Sequence, residues 1–211
     1  MAANLRQNGP DKLLKFSENL TDICILGALW FLCSLPIVTI GAANTAMYAV
    51  FMQHIIHGKR ELVKPFFAAF KKNFKCATIL WLIMFSLMIL FTVDAFYYLY
   101  LTRSSIFHRT IGMIMFCLLA IVILLSCYAF PMTALYNNTI KDTLVKSIQY
   151  FCVSWPWTLL LFAVNLVVAA LMAMGLWYFL FLFAGIIGYA NSHIVIKAFK
   201  RDITVGLGHK K

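Results

Sequence analysis

The sequence predicts an all-α fold, a polytopic bundle of transmembrane helices, and three observations carry that prediction. The composition is 63% apolar and 12% charged with a mean hydropathy of +0.87, whereas soluble domains hold about 45–50% apolar and 25% charged residues. The charges are absent from three long runs, Ile23–Gly58, Thr110–Ile140 and Ser147–Ile196, the last of fifty residues. A helix crosses about 30 Å of hydrocarbon with roughly 20 residues, so each run holds at least one crossing. Finally, the basic residues cluster between apolar runs in the way that cytoplasmic loops do.

Residues 1–19 are polar, with Asn4, Arg6, Asp11, Lys12, Lys15 and Glu18. They lack the short apolar core and small-residue site of a cleavable signal and are read as a cytoplasmic segment. The membrane domain is read as residues 20–196, followed by a basic cytoplasmic tail at 197–211. A chain of 211 residues with this composition leaves no space for a soluble catalytic domain.

The first apolar segment runs from Leu20 to Leu35 and stops at Pro36, which removes a backbone donor and disfavours helix at Leu35. Helical pattern resumes at Ala42 and lasts to His57, where Gly58 can end it. Either the chain turns near the outer surface at Pro36–Gly41 and returns as a short second span, or 20–57 is one kinked span. Charge asymmetry favours the return. Six spans place sixteen Lys and Arg inside against Arg103 and Arg109 outside, and five spans place thirteen against five. The reading is six spans with both termini cytoplasmic, five being the alternative.

Glu61–Lys75 is expected to lie on the membrane surface as an amphipathic helix. Leu62, Phe66, Phe70 and Phe74 recur every four residues while Lys64, Lys71, Lys72 and Lys75 fall elsewhere, and Pro65 sits in the first turn. Cys76–Thr102 then forms a span ending in Tyr97, Tyr98 and Tyr100, and Thr110–Tyr136 forms the next. A second surface helix is expected at Asn137–Cys152, with Ile140, Leu144, Ile148 and Phe151 on one face. Trp155-Pro156-Trp157 starts a new helix, and a turn near Met174-Gly175 divides the following forty residues into two spans. Thr45-Ala46-Met47-Tyr48 echoes Thr133-Ala134-Leu135-Tyr136, a weak internal duplication of 20–102 in 110–196.

Few residues offer chemistry. The candidate polar path consists of Asp94, the one acid inside a predicted span, with Asn165, Asn191 and His193. The break offers Pro36, Thr39, Gly41, Asn44 and Thr45, because interrupted helices free backbone groups for a contact. Phe66, Phe70, Lys71, Lys72, Phe74 and Lys75 offer a surface for membrane or partner. His54 and His57 read as interfacial, and the six cysteines show no CxxC pair. No metal or cofactor site, phosphate loop or acyl-, phosphoryl- or glycosyl-transfer constellation is found, so an enzyme is not expected. The net charge of +11 is read as topology and lipid attraction rather than nucleic-acid binding.

The run Leu35-Pro36-Ile37-Val38-Thr39-Ile40-Gly41, the small residues Ala43, Thr45 and Ala46, and the stretch Phe66-Phe67 to Phe70-Lys71-Lys72-Asn73-Phe74-Lys75 resemble the YesL family. These are small bacterial membrane proteins with a domain of unknown function. The likeness extends from about Lys15 to Arg201 and includes Pro131–Leu135. It implies a Firmicute-type plasma-membrane protein encoded beside carbohydrate ABC importers and glycan-degrading enzymes, with no catalytic residues to carry over. The expectation is an accessory protein of sugar uptake, its partners the bilayer and importer subunits. The alternatives are a small carrier or channel built around Asp94, and a regulator that senses anionic lipid.

Overall fold

The computed structural model describes residues 4–58, 61–101, 106–135, 140–174 and 180–208. Side chains are described from residue 19 to 197, apart from 101, 155, 168–169, 172–173 and 180–181. The described residues form helices α1 (Asn4–Ser34), α2 (Ile40–His57), α3 (Val63–Phe96), α4 (Ile106–Leu135), α5 (Ile140–Val153), α6 (Trp155–Ala173) and α7 (Leu180–Gly208). A 3-10 turn (Ile37–Thr39) joins α1 to α2, and a π turn (Tyr97–Leu101) extends α3.

The break falls where the proline dictates. Pro36 is extended, with φ −77° and ψ 119°, and α1 has already ended at Ser34. The chain then reverses. Trp30 Nε1 donates to Asn44 Oδ1 at 2.6 Å, and further from the turn His54 Nδ1 lies 3.5 Å from Asp22 Oδ2. These partners sit at similar distances on either side of Ile37, which only an antiparallel hairpin allows. Of the two sequence readings, the returning chain is the one observed. Gly58, at φ +64°, closes α2 with its N–H on the His54 carbonyl.

α2 and α3 are also antiparallel. Trp81 Nε1 donates to the Ile37 carbonyl at 2.9 Å, while Leu62 and Phe66 share a buried cluster with Val50 and Phe51 at the opposite end. α4 runs back along α3, with Gly112 against Tyr98 and Leu99 at one end and Phe130 beside Trp81 at the other. α7 runs parallel to α2. Gly188 lies under Met47, and His193 is within electrostatic reach of His54. α1 packs on α7 beside α2, where the Ile23 carbonyl approaches Gly185.

α2 is therefore the inner helix, with 11 of its 18 residues buried. This sheath accounts for Asn44, Thr45 and His54 in a segment that the membrane reading would otherwise penalise. Among the described residues two helices are long and apolar enough to cross a membrane, α3 with its extension (Val63–Tyr100) and α4, and a third counts if the bent α5–α6 pair is one crossing. The protein is a helical membrane protein on that basis.

Four expectations need correction. The first surface helix is not a separate element, since α3 is continuous from Val63 to Phe96. Nothing between Asn73 and Thr78 breaks a helix, and Leu62, Phe66, Ala77, Leu80 and Met84 form one buried stripe across the supposed junction. The four-residue aromatic repeat does not form the single membrane-surface face expected of it either. Each step of four overshoots a helical turn by about 40°, so Phe66 is fully buried whereas Phe74 is 37% exposed. The turn at Ile37 meets α3 at Trp81, about 24 Å (sixteen residues) short of Tyr97, and so not level with the outer end of α3. Finally, α5 is rotated from its expected face. It buries Thr143 and Ser147 and packs Ile140, Leu144 and Tyr150 inward, leaving Val145 and Ile148 outside.

α5 is nonetheless a separate amphipathic helix, bent 99° from α6. The ring of Pro156 is incompatible with a continuous helix through Cys152, so the path breaks at Ser154. The Ser154 N–H closes α5 on the Tyr150 carbonyl, and its own carbonyl accepts from Trp157 and Thr158 to open α6. α6 ends at Ala173, just before the expected turn, whose residues 175–179 lie outside the described residues. The basic tail continues α7 as helix to Gly208. The duplicated Thr45 and Thr133 make the same bond, each to the carbonyl four residues earlier, and Tyr136 lies outside the described residues.

Candidate functional site

The residues of the break are spent on the turn itself. The Thr39 hydroxyl reaches the Cys33 and Pro36 carbonyls at 2.6 and 2.8 Å, and so satisfies acceptors that the end of α1 leaves open. Asn44 is held by Trp30, and Thr45 bonds the Gly41 carbonyl. Gly41 is where α2 and α3 touch, because a Cβ there would collide with Trp81 and the Ala77 carbonyl. The five residues come together, and what they build is a docked turn.

The polar-path residues are dispersed. Asp94 is half-buried on the part of α3 that packs with α4. Asn165 donates to the Leu161 carbonyl of its own helix at 2.7 Å. Asn191 is fully buried and donates from Nδ2 to the Tyr48 hydroxyl at 3.3 Å across the α2–α7 contact, while its Oδ1 has no partner among the described residues. His193, two residues on, packs edge-to-face on Tyr189 with centroids 4.8 Å apart. Asn191 and His193 thus share a helix, and the four residues line no common interior among the described residues.

Besides the Tyr48–Asn191 bond, sequence reasoning missed three further contacts. Asp22 pairs with His54, both nearly buried, on the side of the hairpin away from the turn, with His193 and Lys197 nearby. Tyr128 and Thr158 share a hydrogen bond of 2.9 Å between α4 and α6. Trp30 and Asn44 complete the set. Their one signal in the sequence is the isolated polar residue inside an apolar run, and the partner becomes visible only once the hairpin register is known.

The basic stretch supplies the most distinctive surface. Lys71, Lys72 and Lys75, with Phe70 and Phe74, line a groove of about 350 Å³ on α3. At 100° per residue Lys64, Lys71 and Lys75 fall within about 40° of one another, opposite the buried stripe. All four lysines are exposed, and Phe67 and Phe74 are exposed along one flank. Among the described residues no group of three His, Cys, Asp or Glu side chains is placed to hold a metal.

Comparison with known proteins bears on only part of the chain. No curated protein and no solved structure matches it. Residues 23–95, which hold the last part of α1, the turn, α2, the lysine groove and nearly all of α3, match the family described as "Protein of unknown function, DUF624".

Proposed function

We propose that the chain is a multi-pass plasma-membrane protein that acts as an accessory to a carbohydrate importer, without catalytic chemistry of its own. The observation that carries this reading is how the polar side chains are used. Asn44, Asn165, Asn191 and Thr158 bind within or between the protein's own helices, as interhelical glue does in membranes. The outward faces of α1, α3 beyond Lys75, α4 and α6 are mostly apolar, and exposed charges among the described side chains are confined to the lysine face of α3 and to helix ends and loops such as Glu61, Arg109, Lys141, Asp142 and Lys197. Surfaces of that kind suit lipid and partner helices better than a solute. The likeness to the YesL family supplies the importer context. The dispersal of Asp94, Asn165, Asn191 and His193 weighs against the carrier alternative.

In this reading six segments enter the membrane and both termini lie in the cytoplasm. The returning α1–α2 hairpin and the parallel course of α2 and α7 support that arrangement. Purification from the native membrane in mild detergent tests the accessory role. Importer subunits should co-purify with wild type and with Asp94→Asn alike. Isolation of the protein alone, with a growth defect confined to the Asp94 variant, would instead make it a carrier.

A further inference from the structure

We infer that Asp22, His54, His193 and Lys197 form a proton-operated clasp, which seats α7 on the α1–α2 hairpin at neutral pH and loosens it in acid. The inference concerns one end of these helices and holds whether or not the hairpin crosses the membrane.

Three helices bring the four groups together. Asp22 on α1 faces His54 on α2, its Oδ2 lying 3.5 Å from Nδ1. His193 on α7 is within electrostatic reach of His54 and of Lys197, which follows one turn later on the same helix. The cluster lies where charge resumes along the chain. His54 stands one turn before the Gly58 that ends α2, and Lys197 opens the basic tail. The His54 and Asp22 side chains keep 15% and 18% of their surface exposed, so protons from water reach them.

Packing explains why this end of α7 is the one to respond. From Gly185 to Asn191 the helix is held by close contacts. Gly185 abuts the Ile23 carbonyl, Gly188 lies under Met47, Tyr189 packs on Phe51 and Asn191 bonds Tyr48. Beyond Asn191 the same stripe carries His193, edge-on to Tyr189, and then Lys197.

Charge sets the direction. With both imidazoles neutral, Asp22 and Lys197 contribute one charge of each sign. A free imidazole titrates at about pH 6.5. A proton on His54 meets the Asp22 carboxylate and tightens α1 on α2. A proton on His193 meets two cations, His54 and Lys197, and the first of them pushes α7 off α2. The other described side chains do not offset this. α1 adds no further charge, α6 has none, and α4 carries His108 and Arg109 at its far end. His57, Glu61 and Lys64 are exposed, and solvent screens them. The seat of α7 is therefore complete above the histidine range and weakens as pH falls through it.

The test uses the full chain in phosphatidylcholine nanodiscs. Amide hydrogen exchange is read by mass spectrometry at about pH 7.5 and about pH 5.5 and corrected for the intrinsic rate. In wild type, protection over 189–197 should fall about tenfold in acid while that of α2 holds or rises. His193→Gln should abolish the fall and stay within about twofold of wild type at the higher pH. A merely structural histidine would instead change protection equally at both. Asp22→Asn removes the carboxylate that His54 faces and should enlarge the fall, Lys197→Gln should shrink it, and His57→Gln should leave it unchanged. Equal protection of 189–197 at both pH values in wild type, or a fall that survives His193→Gln, overturns the clasp. A fall of the same size along every helix is general acid unfolding and overturns it too. Should the His193 variant not fold, Asp22→Asn and Lys197→Gln decide the matter, because the clasp requires them to move the fall in opposite directions.

Discussion

Gly41 and the Trp30–Asn44 pair hold the α1–α2–α3 meander in register, and each can be tested separately. Gly41→Ala forces a methyl against the Ala77 carbonyl backbone, which cannot rotate away as a side chain would. We expect a loss of about 1–3 kcal/mol, read as a lowered Tm in detergent. Trp30→Phe and Asn44→Ala each remove one partner of a 2.6 Å bond. A double-mutant cycle should give a coupling of about 0.6–2 kcal/mol, and additive losses would mean that the bond contributes nothing. The turn was legible in the sequence because Pro36 constrains the backbone by itself. The pairings of Asp22 with His54 and of Tyr48 with Asn191 were not, since each joins residues whose distance in the chain says nothing of their distance in the fold.

Among the elements, α3 shows how a periodic pattern can mislead. A repeat of four looks like a helical face over two turns and drifts off it by the third. Phe66→Ala should therefore cost about 3–5 kcal/mol, as a buried aromatic truncation does, whereas Phe74→Ala should leave Tm nearly unchanged. Thermal unfolding of the two variants side by side checks this, and equal losses would restore Phe74 to the packed face. The existence and type of the elements were readable from uncharged runs and proline positions. Continuity was not, because the absence of a helix breaker between Asn73 and Thr78 is a weaker signal than the change of composition there. At α5 and α6 the reverse holds. Pro156 announces the bend, and the structure places it one residue after Val153.

For the whole molecule, the number of crossings is the open quantity, and the α1–α2 hairpin decides it. In a cysteine-free background, Ser104→Cys between α3 and α4 should react with an impermeant maleimide added outside the cell. With six crossings Val38→Cys at the turn should react as well. Protection of Val38→Cys from both sides would make α1–α2 a hairpin that enters and returns without crossing. The basic residues cannot make this distinction, because the hairpin brings the chain back to the same side in either case. That is why charge counting bears on the side of the termini and not on the number of spans.

The unbroken course of α3 has a mechanical consequence. Its 34 residues form a rod about 51 Å long, with the lysine groove near one end and the α4 contact at the other. A jointed surface helix would absorb a push at the basic end, but a rod converts it into displacement. If Trp81 and Gly41 hold the fulcrum, a tilt of about 10° over the full length corresponds to roughly 9 Å of travel between the ends. Whatever grips the lysines therefore has leverage on the far end of the α3–α4 hairpin.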